Sequence, residues 1–222
     1  MLLETKRVVK RYKRGSQTFN AVDGATLSLD PGEFAVIKGH SGSGKSTLLG
    51  IIAGVISSDD GIVNFAGQDT SRLDDNALSK LRNDKIGYIP QGHTVLANMT
   101  VLENVCLPRY IGERKDSPTA KALELLERLG ISQLARQYPS ELSGGELRRL
   151  SIARALLNSP ELIIADEPVS DLDSEKAAEV WNLFAEAANG GTAVLAVTHS
   201  DNGLENINCK YFTMQNGGLT ND

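Results

Sequence analysis

The sequence predicts an α/β protein with a mostly parallel sheet, an antiparallel β region at the N-terminus and an inserted helical segment in the middle. Three observations carry this expectation. Apolar β-type runs at Glu33–Lys38, Leu162–Ala165 and Thr192–Val197 alternate with helical stretches, and near-continuous apolar strands are those covered on both faces of a parallel sheet. The first 38 residues read as short strands, Leu3–Arg11 and Ala25–Leu29 among them, cut by the Lys13-Arg-Gly15 and Asp30-Pro-Gly32 turns. From about Thr94 to Asn158 the apolar spacing becomes helical.

The elements follow in order. The strand Glu33–Lys38 feeds a glycine-rich loop, and Lys45–Gly54 reads as a helix. Gly61–Phe65 and Ile86–Ile89 are further strands, the second stopped by Pro90. Thr100-Val-Leu-Glu103 has capping-box spacing, and Ser117–Leu129 carries a helical stripe. Leu147, Leu150, Ala153 and Leu157 mark another helix, and Ser174–Ala188 a last one. At 222 residues the chain fits a single domain, with an α/β core over about 1–90 and 159–222 and a helical subdomain over about 91–158.

Composition narrows the function. The hydrophobic share of 41% supports an ordinary globular core. A net charge of −5 argues against nucleic-acid binding by bulk charge. Cys106 and Cys209 lie far apart with no CxxC pattern and are expected to be reduced thiols. No signal-peptide pattern or membrane-length apolar run is present, so a cytoplasmic location is expected, with any membrane role exerted through a partner.

The chemistry concentrates in two stretches. Gly39-His40-Ser41-Gly42-Ser43-Gly44-Lys45-Ser46-Thr47 satisfies G-x-x-x-x-G-K-[ST], after a strand and opening a helix, as a P-loop NTPase core requires. Such a loop wraps triphosphate oxygens in backbone N–H groups. Lys45 can then reach the β- and γ-phosphates, the Ser46 hydroxyl can ligate Mg²⁺, and the helix N-terminus adds its positive end. Leu162-Ile-Ile-Ala-Asp166-Glu167-Pro168 places two carboxylates at the end of an apolar strand, where ligands gather in open α/β sheets. Asp166 can hold Mg²⁺ through water, and Glu167 can orient or deprotonate an attacking water. A second anion-binding stretch, Leu142-Ser143-Gly144-Gly145-Glu146-Leu147-Arg148-Arg149, opens a helix with S-x-x-E capping-box spacing and two glycines in its first turn.

These stretches together resemble the nucleotide-binding subunit of the ABC transporter family, in the expected order from Tyr12 to His199. The resemblance implies an ABC ATPase fold and an ATP- and Mg²⁺-dependent activity. It implies that Tyr12 stacks on adenine and that Gln91 senses Mg²⁺ and faces the membrane partner. It further implies that Asp173 belongs to a loop crossing a dimer interface and that His199 contacts the γ-phosphate. Two copies would pack head to tail, with Ser143, Gly144, Gly145 and Glu146 of one covering ATP held by Lys45 of the other, so that two ATP sit in a symmetric homodimer.

A narrower likeness rests on GHSGSGKSTLL, LRNDKIGYIPQ, MTVLENVCLP, ELSGGELRRLSIARAL and ADEP. These are similar to the lipoprotein-releasing and macrolide-export branch (LolD- and MacB-like), near the cell-division subunit FtsE and haem- or peptide-export ATPases. That branch implies an integral membrane permease of few transmembrane helices as partner and a peripheral place on the cytoplasmic face of the membrane. It implies no direct contact with a lipophilic, peptide, haem or drug-like cargo. An FtsE-like regulatory role without transport is the alternative. Departures are Val169 and Asp171, where the branch often has Thr and Asn, and Ser200, where Asp is common. Within Gly92–Tyr110, His93, Val95, Leu96, Met99 and Leu107 mix apolar and polar character as a partner socket would.

Overall fold

A computed structural model describes residues 1–92, 94–112, 116–199 and 203–221. A long N-terminal ribbon, β1 (Leu3–Arg14) and β2 (Gln17–Leu29), turns through Gly15 and Ser16. It joins β4 (Asp60–Phe65) and β5 (Gln68–Asp69) in an antiparallel sheet ordered β2-β1-β4-β5. The second sheet holds β3 (Phe34–Lys38), β6 (Ile86–Ile89), β7 (Leu162–Asp166), β8 (Ala193–Val197), β9 (Lys210–Gln215) and β10 (Gly218–Asn221). Its order is β10-β9-β3-β8-β7-β6, parallel throughout except for the terminal β9–β10 hairpin.

The central strands alternate between two cores, as period-2 geometry dictates. Val36, Ile163, Ala165, Val194 and Ala196 face one cluster. Ile37, Leu162, Ile164, Leu195 and Val197 face the other, which includes α1 (Lys45–Ile52) and the antiparallel sheet. On the first side α3 (Val101–Ile111), α4 (Thr119–Arg128) and α5 (Gly144–Leu156) pack on one another, and α6 (Ser174–Asn189) packs on β8. The expected α/β architecture is therefore observed. Among the described residues no helix is long and apolar enough to cross a membrane.

Several segments escape the sequence reading, and three of these cases have a physical reason. At the start of β2, Gln17–Asn20 are exposed on both faces, and the register with β1 shifts between Lys10 and Arg11, opposite Val22 and Asn20. No clean alternation marks it. Helix α2 (Asp75–Lys85) buries no residue and so has no apolar stripe, but Asp74 caps it by accepting from the Ala77 N–H at 2.7 Å. The β9–β10 hairpin turns through Asn216 and Gly217, both at positive φ. Asn-Gly is a strong hairpin signal that the sequence displayed. Helix α1 ends at Ile52, two residues before the expected Gly54, which takes φ 67°. Both cysteines are free: Cys106 is buried, and Cys209 is half-buried, its thiol pushed up to about 11 by burial.

Trp181 is the largest fully buried side chain, with its ring centroid 6.1 Å from Phe34 and 6.0 Å from Phe184. It ties α6 to the central sheet. Trp181→Ala is expected to lower the unfolding free energy by about 3–5 kcal/mol, measured by urea denaturation, because the cavity cannot collapse between two fixed elements.

Candidate nucleotide site

The loop 39–44 is held from both sides by backbone. The Gly39 position (φ 150°) would bring a Cβ within 2.2 Å of the Met214 carbonyl oxygen on β9. At Gly44 (φ 107°) a Cβ would meet the Ala21 carbonyl oxygen on β2 at 1.9 Å. These two glycines are thus required by protein packing, not only by ligand approach. Gly42 (φ 79°) faces open space. The Gly217 N–H donates to the Ser43 carbonyl at 3.0 Å, fastening the loop to the C-terminal hairpin. Ser43 itself is buried, and its Oγ has no hydrogen-bond partner.

Gly44 is the N-cap of α1 and offers no side-chain cap, so the first-turn N–H groups remain available to an anion. Lys45 Nζ donates to the Gly39 and His40 carbonyls at 2.7 and 2.9 Å. Two of its three donors are used, and the third is left for a ligand oxygen. Burial pushes the Lys45 ammonium below the usual lysine range, and the charges of Glu167 and Asp166 push it back up. His40 Nδ1 lies 2.9 Å from the Ser41 carbonyl, at the exposed rim.

Strand register supplies the acidic side. In the parallel pair β7–β8, Asp166 stands opposite Val197, and the Glu167 N–H donates to the Val197 carbonyl at 3.0 Å. Two residues beyond Val197 the chain delivers His199, whose Nε2 lies 3.1 Å from Glu167 Oε1. That pair is within ion-pair range but off hydrogen-bond alignment, and Glu167 Oε1 is buried without a hydrogen bond among the described residues. The His199 N–H reaches Glu167 Oε2 at 3.4 Å. Glu167 adopts φ 51°, a strained backbone for a non-glycine residue, of the kind found at functional sites. Burial raises its carboxyl above the ordinary glutamate range, with Asp166 adding to the rise; His199 and Lys45 oppose it.

A cleft of about 370 Å³ gathers Tyr12, Ser41, Gly42, Gly44, Lys45, Ser46, Thr47, Gln91, Asp166, Glu167 and His199. Gln91 arrives there two residues after β6, the strand beside β7. Phe19 and Ala21 also line the cleft and were missed. Phe19 stands opposite Tyr12 in the ribbon, with ring centroids 6.3 Å apart, which only the full length of β2 reveals.

The other glycine stretch lies apart. Among the described residues, Ser143, Gly144, Gly145 and Glu146 do not line this cleft. Ser143 and Glu146 form the expected capping box: Glu146 Oε2 accepts from the Ser143 N–H at 2.7 Å, and Ser143 Oγ accepts from the Glu146 N–H at 3.4 Å. Ser143 and Gly144 are exposed at the tip of α5. A Cβ at Gly145 would come within 3.0 Å of the Asp171 carbonyl oxygen, so this glycine lets the loop 170–173 press on the tip. Asp173 caps α6 by accepting from the Lys176 N–H at 2.9 Å. Val169 is buried in the core. Two missed residues organise the surroundings. Arg148 is fully buried, and buried Asn104 binds the Leu96 backbone, accepting from its N–H at 2.8 Å and donating to its carbonyl at 3.0 Å. His93 and Ser200 lie outside the described residues.

A strand, a G-x-x-x-x-G-K-S loop and an uncapped helix on a parallel sheet define a P-loop nucleotide-binding domain. Residues 22–170 match the ABC transporter family. Among solved structures, the chain is similar to the ATP-binding cassette MJ0796 in a dimeric, post-hydrolysis state bound to ADP and Pi. The identity is 34% and the TM-score 0.94, covering 100% of this chain and 98% of that one. A second dimeric structure of MJ0796, described as a bacterial ABC transporter cassette, matches at 35% identity and TM-score 0.93, covering 98% and 96%. A nucleotide-free ATP-binding cassette from an ABC transporter is similar at 30% identity and TM-score 0.80, covering 98% and 89%. The chain belongs to the ABC transporter family and is one of its ATP-binding cassettes.

The raised Glu167 carboxyl has a stability consequence. The folded state holds this proton more tightly than the unfolded chain does. Stability from this group is therefore fully present below the unfolded glutamate value of about 4.3, and is lost as pH rises through the higher folded value. Thermal unfolding of the nucleotide-free protein should show Glu167→Gln more stable than wild type above neutral pH. That advantage should shrink to nothing in acid.

Proposed function

We propose that this chain is the ATP-hydrolysing subunit of a transporter, working as a head-to-tail homodimer that encloses two ATP and drives a membrane permease. One observation carries the reading. Lys45, Ser46, Gln91, Asp166, Glu167 and His199 share a single cleft, while the exposed tip of α5 lies elsewhere on the same chain. A nucleotide in the cleft is covered by such a tip only when a second copy supplies it. The dimeric state of the MJ0796 cassettes supports this arrangement.

The residues divide the work. Tyr12 offers a ring face, 38% exposed, for adenine. The N–H groups of the loop and of the first turn of α1 wrap the phosphates, and Lys45 contributes its remaining donor. The Ser46 hydroxyl, the Gln91 amide oxygen and the Asp166 carboxylate are hard oxygen donors that fit Mg²⁺, which when bound neutralises charge on the β- and γ-phosphate oxygens. Glu167 takes the proton of the attacking water, and its raised value brings it nearer the pH at which it works. His199 steadies that carboxylate and faces the γ-phosphate. Closure of the dimer follows from the preference of ATP for the closed state.

We read the chain as one domain, with its core at 1–90 and 159–222 and a helical subdomain at 91–158, because α3, α4 and α5 pack on one another. The segment 92–110 is the socket for a permease of few transmembrane helices in the lipoprotein-releasing and macrolide-export branch. This places the subunit at the cytoplasmic face of the membrane, out of contact with cargo. Leu96, Tyr110 and the adjoining Ile111 are large apolar side chains exposed there.

Glu167→Gln should lower ATP turnover by about 10²–10⁴-fold, the usual worth of a general base. In size-exclusion chromatography with ATP it should run as a dimer; a monomer that hydrolyses ATP at the wild-type rate refutes the assignment. Leu96→Glu and Tyr110→Glu together should abolish co-purification with the membrane partner while ATP binding is retained. Undiminished co-purification counts against the socket.

A further inference from the structure

Arg148 is a charged side chain with 1% exposure, on the third residue of α5 beyond Gly145. Burial of a guanidinium is costly unless its donors are satisfied by good geometry. Its Nη1 donates to the Pro90 carbonyl at 3.0 Å, one residue before Gln91. Its Nη2 lies 3.5 Å from Asp171 Oδ2. Ser170 Oγ is 3.3 Å from that same carboxylate oxygen and 3.2 Å from the Glu167 carbonyl oxygen. Gly145 meanwhile admits the Asp171 carbonyl so closely that a Cβ there would stand 3.0 Å from it. One guanidinium therefore joins the segment carrying Gln91, the loop that follows Glu167, and the tip of α5.

We propose that Arg148 is a positioning residue that, with Asp171, clamps the Pro90–Gln91 segment and the 170–173 loop to the tip of α5. The nucleotide-facing groups of one copy then move as a unit with the tip that covers the nucleotide of the other. A planar fork suits this task, because two donors at fixed spacing hold two partners at once. A lysine has no such fork. The functional half of the proposal rests on the reading of Gln91, Glu167 and the α5 tip given above.

Two measurements test it. Hydrogen exchange on the nucleotide-free chain reads the clamp without reference to catalysis. Arg148→Gln should raise amide exchange at Gln91 and Gly92 and at 170–173 together, and Arg148→Lys should do so less. Loosening of only one segment, or of neither, overturns the clamp. Steady-state ATP hydrolysis then reads its effect through a double-mutant cycle with Asp171→Ala, which removes the acceptor that Arg148 Nη2 meets. Each single substitution should lower kcat by about tenfold, the scale of a coupling between sites, with KM for ATP nearly unchanged. The double variant should be no slower than the slower single one. Losses that multiply in the double variant, or a rise in KM at constant kcat, overturn the coupling. The Asp171 side chain is 43% exposed, so Asp171→Ala leaves the core untouched and reports even if Arg148→Gln folds poorly. If the wild-type chain fails to hydrolyse ATP, the functional reading fails, and the exchange data still decide whether the clamp exists.

Discussion

The site depends on a backbone wedge. The phosphate loop passes between the Ala21 carbonyl on β2 and the Met214 carbonyl on β9, with room at Gly44 and Gly39 for a hydrogen and nothing larger. A loop so confined has its amides oriented before any ligand arrives, which removes the ordering cost that a flexible loop would carry. The same wedge joins the antiparallel sheet, the parallel sheet and the C-terminal hairpin. The Asp23 N–H donates to the Gly217 carbonyl at 2.8 Å, and the Gly217 N–H donates to the Ser43 carbonyl at 3.0 Å, completing the lock.

Strand register places the chemistry opposite that loop. Parallel pairing of β7 with β8 sets Asp166 across from Val197, and the next residues of both strands converge as Glu167 and His199. Residues of β7 and β8 alternate between the two cores, so a one-residue slip would exchange the set facing each of them. Glu167 pays for its place with a positive φ and a desolvated carboxyl. Backbone strain and a desolvated carboxyl are the combination that clusters at functional sites.

The second glycine stretch is built on the opposite principle. At Ser143 and Gly144 the tip of α5 is exposed, and its own capping box satisfies part of its backbone. What is fixed is its relation to the 170–173 loop, through Gly145, and to the Gln91 segment, through Arg148. The tip of α5 is thus held to two distant segments of the chain while Ser143 and Gly144 stay exposed, away from the nucleotide cleft.

Much of this was legible in the residues. Motif spacing identified the phosphate loop, the acidic strand end and the serine-capped helix with two glycines in its first turn, because each is a local pattern whose chemistry is carried by neighbours in the chain. The alternation of apolar strands and helices gave the fold class for the same reason. Half of β2, helix α2 and Phe19 were not legible, since they bury too little on one face to leave a period. The Asn216-Gly217 hairpin is a local pattern of the same kind as those motifs, carried by its dipeptide. What only the tertiary structure decided is which distant backbones crowd Gly39 and Gly44, and which carbonyl and carboxylate Arg148 meets. Local sequence fixes what a segment can do, whereas burial and close approach between segments far apart in the chain arise only once the sheets and helices have packed.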